Sequence, residues 1–237
     1  MFPLFYLEKC SSTNDEILYF VKENRLPSAI YTFNQINGRG QYGNTWKTNK
    51  DRNLAYSIAL KVRDFQISGS LFNFRTASIL RDFIAKLTKN SVETKWPNDI
   101  IINGKKVSGM LIEKQKIDGE DYYIAGIGIN VLQTDFSGLP KAGSILTQTQ
   151  QRFDLEDFTA KLHTHFCASF QNELSAEDIL EDFNENLFRK NQISVFERNG
   201  VRQNGIIKYA DENGFLWIEL EKDGLQKFNN KEIELLY

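Results

Sequence analysis

The sequence predicts an α+β chain, a mostly antiparallel sheet backed by helices and followed by a compact β appendage. Three observations lead there. Apolar residues recur at helical spacing in four stretches, the last two lying well after the strands. Between the second and third of these stretches the chain reads as a strand meander, with Asn103-Gly104 supplying a strong two-residue hairpin turn. After Asn191 short apolar runs alternate with Asn/Gly turns, the rhythm of a small β-barrel of about 45 residues.

Taken in order, Ser11-Ser12-Thr13-Asn14-Asp15-Glu16 opens the first helix. Ser12-x-x-Asp15 and Thr13-x-x-Glu16 both read as caps, the second as a full capping box, and Ile17, Phe20 and Val21 form the apolar stripe. Residues 29–33 and 54–62 read as strands. A helix spans about 70–87, with Leu71, Phe74, Ala77 or Ser78, Ile84 and Leu87 inward. Strands follow at 99–102, 105–114 and 122–131, with a second turn near Asp118-Gly119, and then helices at 154–170 and 175–188. The runs beginning at Ile193, Gly205, Gly214 and Gly224 are the strands of the appendage, so the expected boundary divides residues 1–189 from residues 190–237.

Composition narrows the function. With 237 residues, 41% hydrophobic and 25% charged residues and a net charge of −2, the chain resembles an ordinary globular protein and lacks the basic excess of a bulk nucleic-acid binder. Two cysteines, Cys10 and Cys167, lack metal-like spacing and argue against a disulfide framework. No signal peptide or membrane span is legible, so the expectation is a cytoplasmic protein with neither DNA nor membrane as partner. His163 and His165 are the only histidines; on a helix they point about 200° apart and cannot chelate one metal together, which assigns them packing roles.

The richest segment is Gln35-Ile-Asn-Gly38-Arg39-Gly40-Gln41-Tyr42-Gly43-Asn-Thr-Trp46. It has the G-x-G-x-x-G form, a strand before it and an acid, Asp64, about 20 residues on, as a dinucleotide site requires. Such a site also needs a helix after the third glycine, to hold the pyrophosphate at its N-terminus. Asn44 to Asn53 is polar and aperiodic and leads into a strand, so the dinucleotide reading fails. A mobile surface loop remains the plain alternative, but it leaves Arg39 and Trp46 without a purpose.

The hairpin at Asn103-Gly104 sets a register: Ile102 opposite Lys105, Ile101 opposite Lys106, Asp99 opposite Ser108 and Gly109 facing Asn98. Asp99, Ile101, Lys106 and Ser108 then share a face, with Asp99 and Lys106 diagonal neighbours about 7–8 Å apart. Alone, this would be a surface ion pair of under about 1 kcal/mol. Beside Trp96-Pro97 and a basic glycine loop, it becomes a cation and a carboxylate converging on one ligand. Ser12, Thr13 and Asn14 read likewise as a cap that also offers hydroxyl and amide groups to a neutral polar ring. Gly126-Ile-Gly128-Ile-Asn130 reads as a strand with bulges or close contacts, its terminal Asn130 able to meet a base edge.

Gly38-Arg39-Gly40-x-x-Gly43-x-x-Trp46, Lys95-Trp-Pro-Asn-Asp99, Lys106-x-x-Gly109 and Gly126-Ile-Gly-Ile-Asn130, in this order, resemble the catalytic domain of biotin protein ligases over nearly the whole chain. The resemblance implies a seven-stranded mixed sheet of the class II synthetase-like type and a C-terminal SH3-like barrel. It also implies a monofunctional enzyme without the helix-turn-helix domain of the bifunctional repressors. The implied reaction joins biotin to ATP, with Mg²⁺, as biotinyl-5′-AMP, and then passes biotin to a lysine of an acceptor, the biotin carboxyl carrier protein of acetyl-CoA carboxylase.

By the same resemblance Lys106, Arg39 and Asp99 are catalytic. Biotin is met by Ser12, Thr13, Asn14, Gln35, Gly38, Arg39, Gly40, Gln41, Lys106 and Gly109, and ATP by Arg39, Trp46, Lys95, Asn98, Asp99, Lys106 and Asn130. Asp99 either orients the acceptor lysine as a base or holds Mg²⁺. The chain departs from the family where Gln41, Tyr42 and Asn44 replace three arginines of the glycine loop, which implies a looser hold on the adenylate. A lipoate or octanoate ligase and a non-catalytic binder are the competing readings. A homodimer through edge strands stays open.

Overall fold

The computed structural model describes residues 2–24 and 27–237; Met1, where the expected first domain opens, lies outside the described residues, as do residues 25 and 26. The elements are β1 (Leu4–Tyr6), α1 (Thr13–Asn24), β2 (Ser28–Thr32), β3 (Gly38–Arg39), β4 (Thr45–Trp46), β5 (Asn53–Lys61), α2 (Gly69–Thr88), β6 (Glu93–Lys95), β7 (Asp99–Ile102), β8 (Lys105–Ile117) and β9 (Glu120–Asn130). They continue with α3 (Ile145–Thr149), α4 (Leu155–Gln171), α5 (Ala176–Glu185), β10 (Ile193–Arg198), β11 (Val201–Ala210), β12 (Leu216–Leu220), β13 (Gly224–Phe228) and β14 (Glu234–Leu236).

The main sheet has the order β1-β2-β5-β9-β8-β7-β6 and is mixed: β1 runs parallel to β2, and every other neighbouring pair is antiparallel. One face carries α2 and α4, whose Phe72, Phe74, Ile84, Phe158 and Phe166 are almost wholly removed from water. On the other face α1 buries Ile17 and Val21 against Ile30, Ala59 and Ile124. Leu87 of α2, expected inward, is only half-buried.

Both hairpin turns form with left-handed residues at both centres, φ 49° and 73° at Asn103-Gly104 and φ 49° and 86° at Asp118-Gly119. The expected register holds only next to the first turn. Ile102 faces Lys105 and Ile101 faces Lys106, but Ile100 faces Ser108 and Asp99 faces Gly109, so Val107 is the extra residue of a bulge. Val107 is fully buried in the core, and from Ser108 onward β8 follows the uninterrupted ladder with β9. A turn motif sets pairing nearby; here the longer ladder overrides it within three residues.

The helix expected to 188 stops at Glu185. Thr94 N–H donates to the Asn186 carbonyl and Phe188 N–H to the Thr94 carbonyl, so residues 186–188 run along β6 rather than completing a turn of α5. Where an SH3-like barrel is expected, the C-terminal unit forms a five-stranded antiparallel sheet, β13-β12-β11-β10-β14, in which the outer strands β13 and β14 do not pair among the described residues. Its last strand, missed in the sequence, lies against β10. The two sheets share one core: Trp96 donates its indole N–H to the Gly214 carbonyl at 3.1 Å, and Asn184 exchanges two bonds with Ala210.

The histidines are packing residues. His163 Nε2 donates to the Phe2 carbonyl at 2.9 Å, and in the neutral ring that burial favours Nδ1 accepts from Tyr56 at 2.9 Å. Burial holds His163 and His165 below the ordinary imidazole value, their carbonyl contacts opposing it only in part. As pH falls below about 6.5 the unfolded chain therefore takes up protons that the folded chain excludes, and stability drops. We expect the thermal midpoint to fall from pH 7.5 to 5.5, with a shallower slope in His163→Gln; an unchanged slope would remove His163 as the cause.

Among the described residues no helix is long and apolar enough to cross a membrane.

Candidate active site

A cleft of about 210 Å³ opens where the glycine loop crosses the ends of β5, β8 and β9 and meets the Lys95–Asp99 turn. One end is lined by the N-terminus of α1, whose side chains are committed to each other. Thr13 donates its backbone N–H to Gln35 Oε1 at 2.8 Å. Asn14 donates to the Leu111 carbonyl at 3.2 Å and to Glu113 Oε2 at 2.7 Å, while Ser57 donates to Asn14 Oδ1 at 2.7 Å. The expected Thr13–Glu16 capping box gives way: Thr13 is already the first helical residue, and its hydroxyl turns to Gln35 and Ser57. Ser12, Thr13 and Asn14 are buried, which fits a preorganised polar end wall rather than a simple helix cap.

Gly126 and Gly128 explain themselves here. A Cβ at Gly126 would lie 2.0 Å from Asn14 Oδ1, and one at Gly128 would lie 2.3 Å from the Trp46 ring. Both sit in regular pairing with β8, so the close contacts of the expectation are real and the bulges are not. Trp46 lies against Gly128 of β9 and Gly109 of β8, with its indole N–H buried and without a partner among the described residues, a donor left for a ligand acceptor.

At the other end Lys106 Nζ lies 2.6 Å from Asp99 Oδ1 and 5.6 Å from the Trp46 ring centre. Lys106 is held from both sides of its backbone, its N–H donating to the Lys141 carbonyl and its C=O accepting from Gly143. Gly109 leaves the space that the Lys106 ammonium and Trp46 now fill, 3.0 and 3.2 Å from where its Cβ would be. Lys95 lies close by, its amine pushed below the ordinary lysine value by burial, which Asp99 only partly offsets. Tyr237 stacks against Lys95 and Lys141, and burial, with Asp99 and Glu234 nearby, pushes its phenol up to about 12.

Most expected site residues converge on this cleft: Ser12, Thr13, Asn14, Gln35, Arg39, Gly40, Gln41, Trp46, Lys95, Asn98, Asp99, Lys106 and Gly109 all line it. Three expected residues are engaged by other parts of the fold. Asn130 is buried and donates to the Gly143 carbonyl at 3.0 Å, so it braces a loop instead of meeting a base edge in the cleft. Asn98 lines the cleft and donates to the Met110 carbonyl, which braces the Lys95–Asp99 turn. Arg39 turns its guanidinium to Asp15 at 2.7 Å and Glu113 at 3.0 Å and does not face the cleft centre with a free charge. Gly38 acts sterically, since a Cβ there would lie 2.4 Å from the Trp46 carbonyl.

Glu113, Asp15, Ser57, Asn230 and Lys231 went unnoticed as site residues in the sequence. Glu113 had a signal, four residues past Gly109 on the strand of Lys106, and Asp15 another, directly after Asn14; Ser57, Asn230 and Lys231 come from elements whose approach no local pattern encodes. Among the described residues no three His, Cys, Asp or Glu side chains gather at one metal site. Asp99 offers a single carboxylate already paired with Lys106, a donor set that suits Mg²⁺ arriving on ATP phosphates and not a resident ion.

A strand-borne cation–carboxylate pair, a glycine loop and a polar end wall on a mixed sheet define a ligase-type domain with a cleft for a small acid and a nucleotide. The chain belongs to the Biotin/lipoate A/B protein ligase family, whose sequence pattern matches residues 6–130. It is 26% identical over 221 residues to a biotin–(acetyl-CoA-carboxylase) ligase of Paracoccus denitrificans, covering 89% of this chain and 91% of that one. Biotin–protein ligase 2 of Arabidopsis thaliana matches over 51% of this chain and 38% of its own length, at 29% identity.

In fold the chain is similar to the Aquifex aeolicus biotin protein ligase solved with biotin and ATP (TM-score 0.79, 21% identity, 99% of this chain and 98% of that one). It is also similar to the Leishmania major ligase solved with biotinyl-5-AMP (TM-score 0.69, 22% identity, 96% and 98%).

Proposed function

We propose that this enzyme couples biotin to an acceptor lysine at the expense of ATP, through biotinyl-5′-AMP, with residues 1–189 as its catalytic domain. The observation that carries the reading is the Lys106–Asp99 pair, 2.6 Å apart, set in one cleft with the polar wall of Ser12, Thr13 and Asn14. A biotin carboxylate oxygen attacks the α-phosphorus of MgATP, the α–β bridging bond breaks and pyrophosphate leaves. Two anions must approach each other, and Lys106 supplies the positive charge between them. The ureido ring of biotin, neutral and rich in donors and acceptors, suits the hydroxyl and amide groups at the far end, and the Trp46 indole N–H gives one further donor.

In the second step the acceptor amine attacks the acyl carbon of the mixed anhydride and AMP departs. A lysine amine is protonated near neutral pH, so it must lose a proton first. Asp99 is the carboxylate beside the reacting atoms and is placed to orient that amine and take its proton once Lys106 has turned to the phosphate. Lys95, whose burial disfavours its charge until an anion arrives, suits the leaving pyrophosphate. The acceptor in this reading is the biotin carboxyl carrier protein of acetyl-CoA carboxylase, in keeping with the name of the Paracoccus relative.

Biotin-dependent exchange of labelled pyrophosphate into ATP tests the first step, with lipoate as a parallel substrate. Exchange with biotin alone is the expected result. Exchange with lipoate alone would move the chain to the lipoate branch of the family, and exchange with neither would leave a binder on a ligase fold.

A further inference from the structure

We infer that the turn joining β13 to β14 is a latch for the glycine loop, with Asn230 and Lys231 as positioning residues that keep the activated intermediate in the cleft; this rests on the adenylate-forming reading above. The glycine loop carries Gln41 and Tyr42 at its tip, and among the described residues neither side chain is hydrogen-bonded to the main sheet. Instead Asn230 Nδ2 donates to Gln41 Oε1 at 2.9 Å. Lys231 Nζ lies 3.4 Å from the Tyr42 carbonyl oxygen and 4.8 Å from the centre of the Tyr42 ring. Asn230 and Lys231 also line the cleft itself, so the latch closes its wall directly.

Backbone geometry gives the contacts their meaning. Tyr42 sits at φ 56°, ψ 38°, the left-handed region that a bulky L residue avoids, and its side chain is 63% exposed. Local sequence therefore works against this loop conformation; backbone bonds between Gly40, Gln41 and Asn44 hold its base, and the contacts from Asn230 and Lys231 reach its tip. The turn across from it is built to hold: Asn229 N–H donates to Glu232 Oε2 at 2.7 Å and Glu232 N–H donates to the Asn229 carbonyl at 3.2 Å. The rigid side is the turn and the adaptable side is the loop.

The arrangement also bears on the missing arginines. Where Gln41 and Tyr42 stand, the family resemblance led us to expect guanidinium groups closing on the adenylate. Gln41 and Tyr42 instead engage the second sheet, which transfers retention of the intermediate from charges within the loop to a contact between the two sheets. Arg39 secures the other limb of the loop through Asp15 and Glu113, so the loop is tied at both limbs.

Two readouts test the latch on the whole 237-residue chain. Without any ligand, chymotrypsin cleavage after Tyr42 should quicken on the order of threefold in Asn230→Ala and Lys231→Ala, with an unchanged thermal midpoint, and return to the parent rate in Lys231→Arg. With biotin and MgATP, the ratio of biotinyl-adenylate released to solution over biotin transferred should rise in both alanine variants. Asn230→Ala should add nothing to a Gln41→Ala background. Unchanged cleavage, an unchanged release ratio, or fully additive effects of positions 41 and 230 would each overturn the latch. If the parent chain forms no adenylate from biotin, the functional reading fails, while the cleavage assay still decides whether the turn holds the loop.

Discussion

Lys106→Ala should lower biotin-dependent pyrophosphate exchange by on the order of 10²–10³-fold, the loss seen when one preorganised electrostatic group is taken from a transition state. Lys106 is the cation already hydrogen-bonded at the reacting end of the cleft, and its backbone is fixed by Lys141 and Gly143 on both sides. Removing it leaves the biotin carboxylate and the α-phosphate to meet without compensation, and leaves Asp99 as a third unpaired negative charge beside them. The side chain is one-third exposed, so the fold should survive, and an unaltered thermal midpoint should accompany the lost activity. Lys106→Arg should not restore the rate. The ammonium sits 3.0 Å from the Cβ position of Gly109 against Trp46, which leaves little room for a planar guanidinium. Exchange within threefold of the parent in Lys106→Ala would dismiss Lys106 as the bridging charge.

Gly126→Ala should be nearly as damaging, by a different route. Its Cβ would come within 2.0 Å of Asn14 Oδ1 and 2.6 Å of Asn14 Cγ, far inside contact distance. Asn14 cannot yield cheaply because it is 5% exposed and tied to Ser57, Leu111 and Glu113. Overpacking at such a site costs about 1–3 kcal/mol, and freeing a buried amide adds about 1–3 kcal/mol more. Calorimetry should show a lower thermal midpoint, and titration should show biotin affinity reduced by about tenfold or more, since every 1.4 kcal/mol lost is tenfold. Gly69→Ala is the matched control, because a Cβ there meets nothing nearer than Tyr123 Cε1 at 3.9 Å. Equal effects at positions 126 and 69 would show that the end wall is not built on the Asn14 contact.

Much of this protein was legible before its fold. Helices α2 and α4 follow from apolar periodicity, and β7, β8 and β9 from alternation and two left-handed turns, because these signals are local and repeat over many residues. Lys106, Asp99 and Trp46 could be chosen as site residues because cations, acids and aromatics beside glycines mark chemistry in the chain itself. What local patterns missed is what depends on a second segment arriving. The bulge at Val107 comes from the β8–β9 ladder, and the early end of α5 from pairing with β6. Asn130 and Asn98 look like ligand-binding amides in the sequence, and each donates to a carbonyl that only the folded chain brings near.

Sequence alone determined the four longer helices, the central strand meander, the hairpin turns and the set of chemically able residues. Tertiary structure alone decided which of them are free to act: it committed Arg39 to Glu113 and Asp15, and placed Asn230 and Lys231 against a loop nearly 190 residues away. The physical reason is that propensity and turn geometry act within a few residues, whereas the partner of a hydrogen bond or charge is fixed only when distant strands pack.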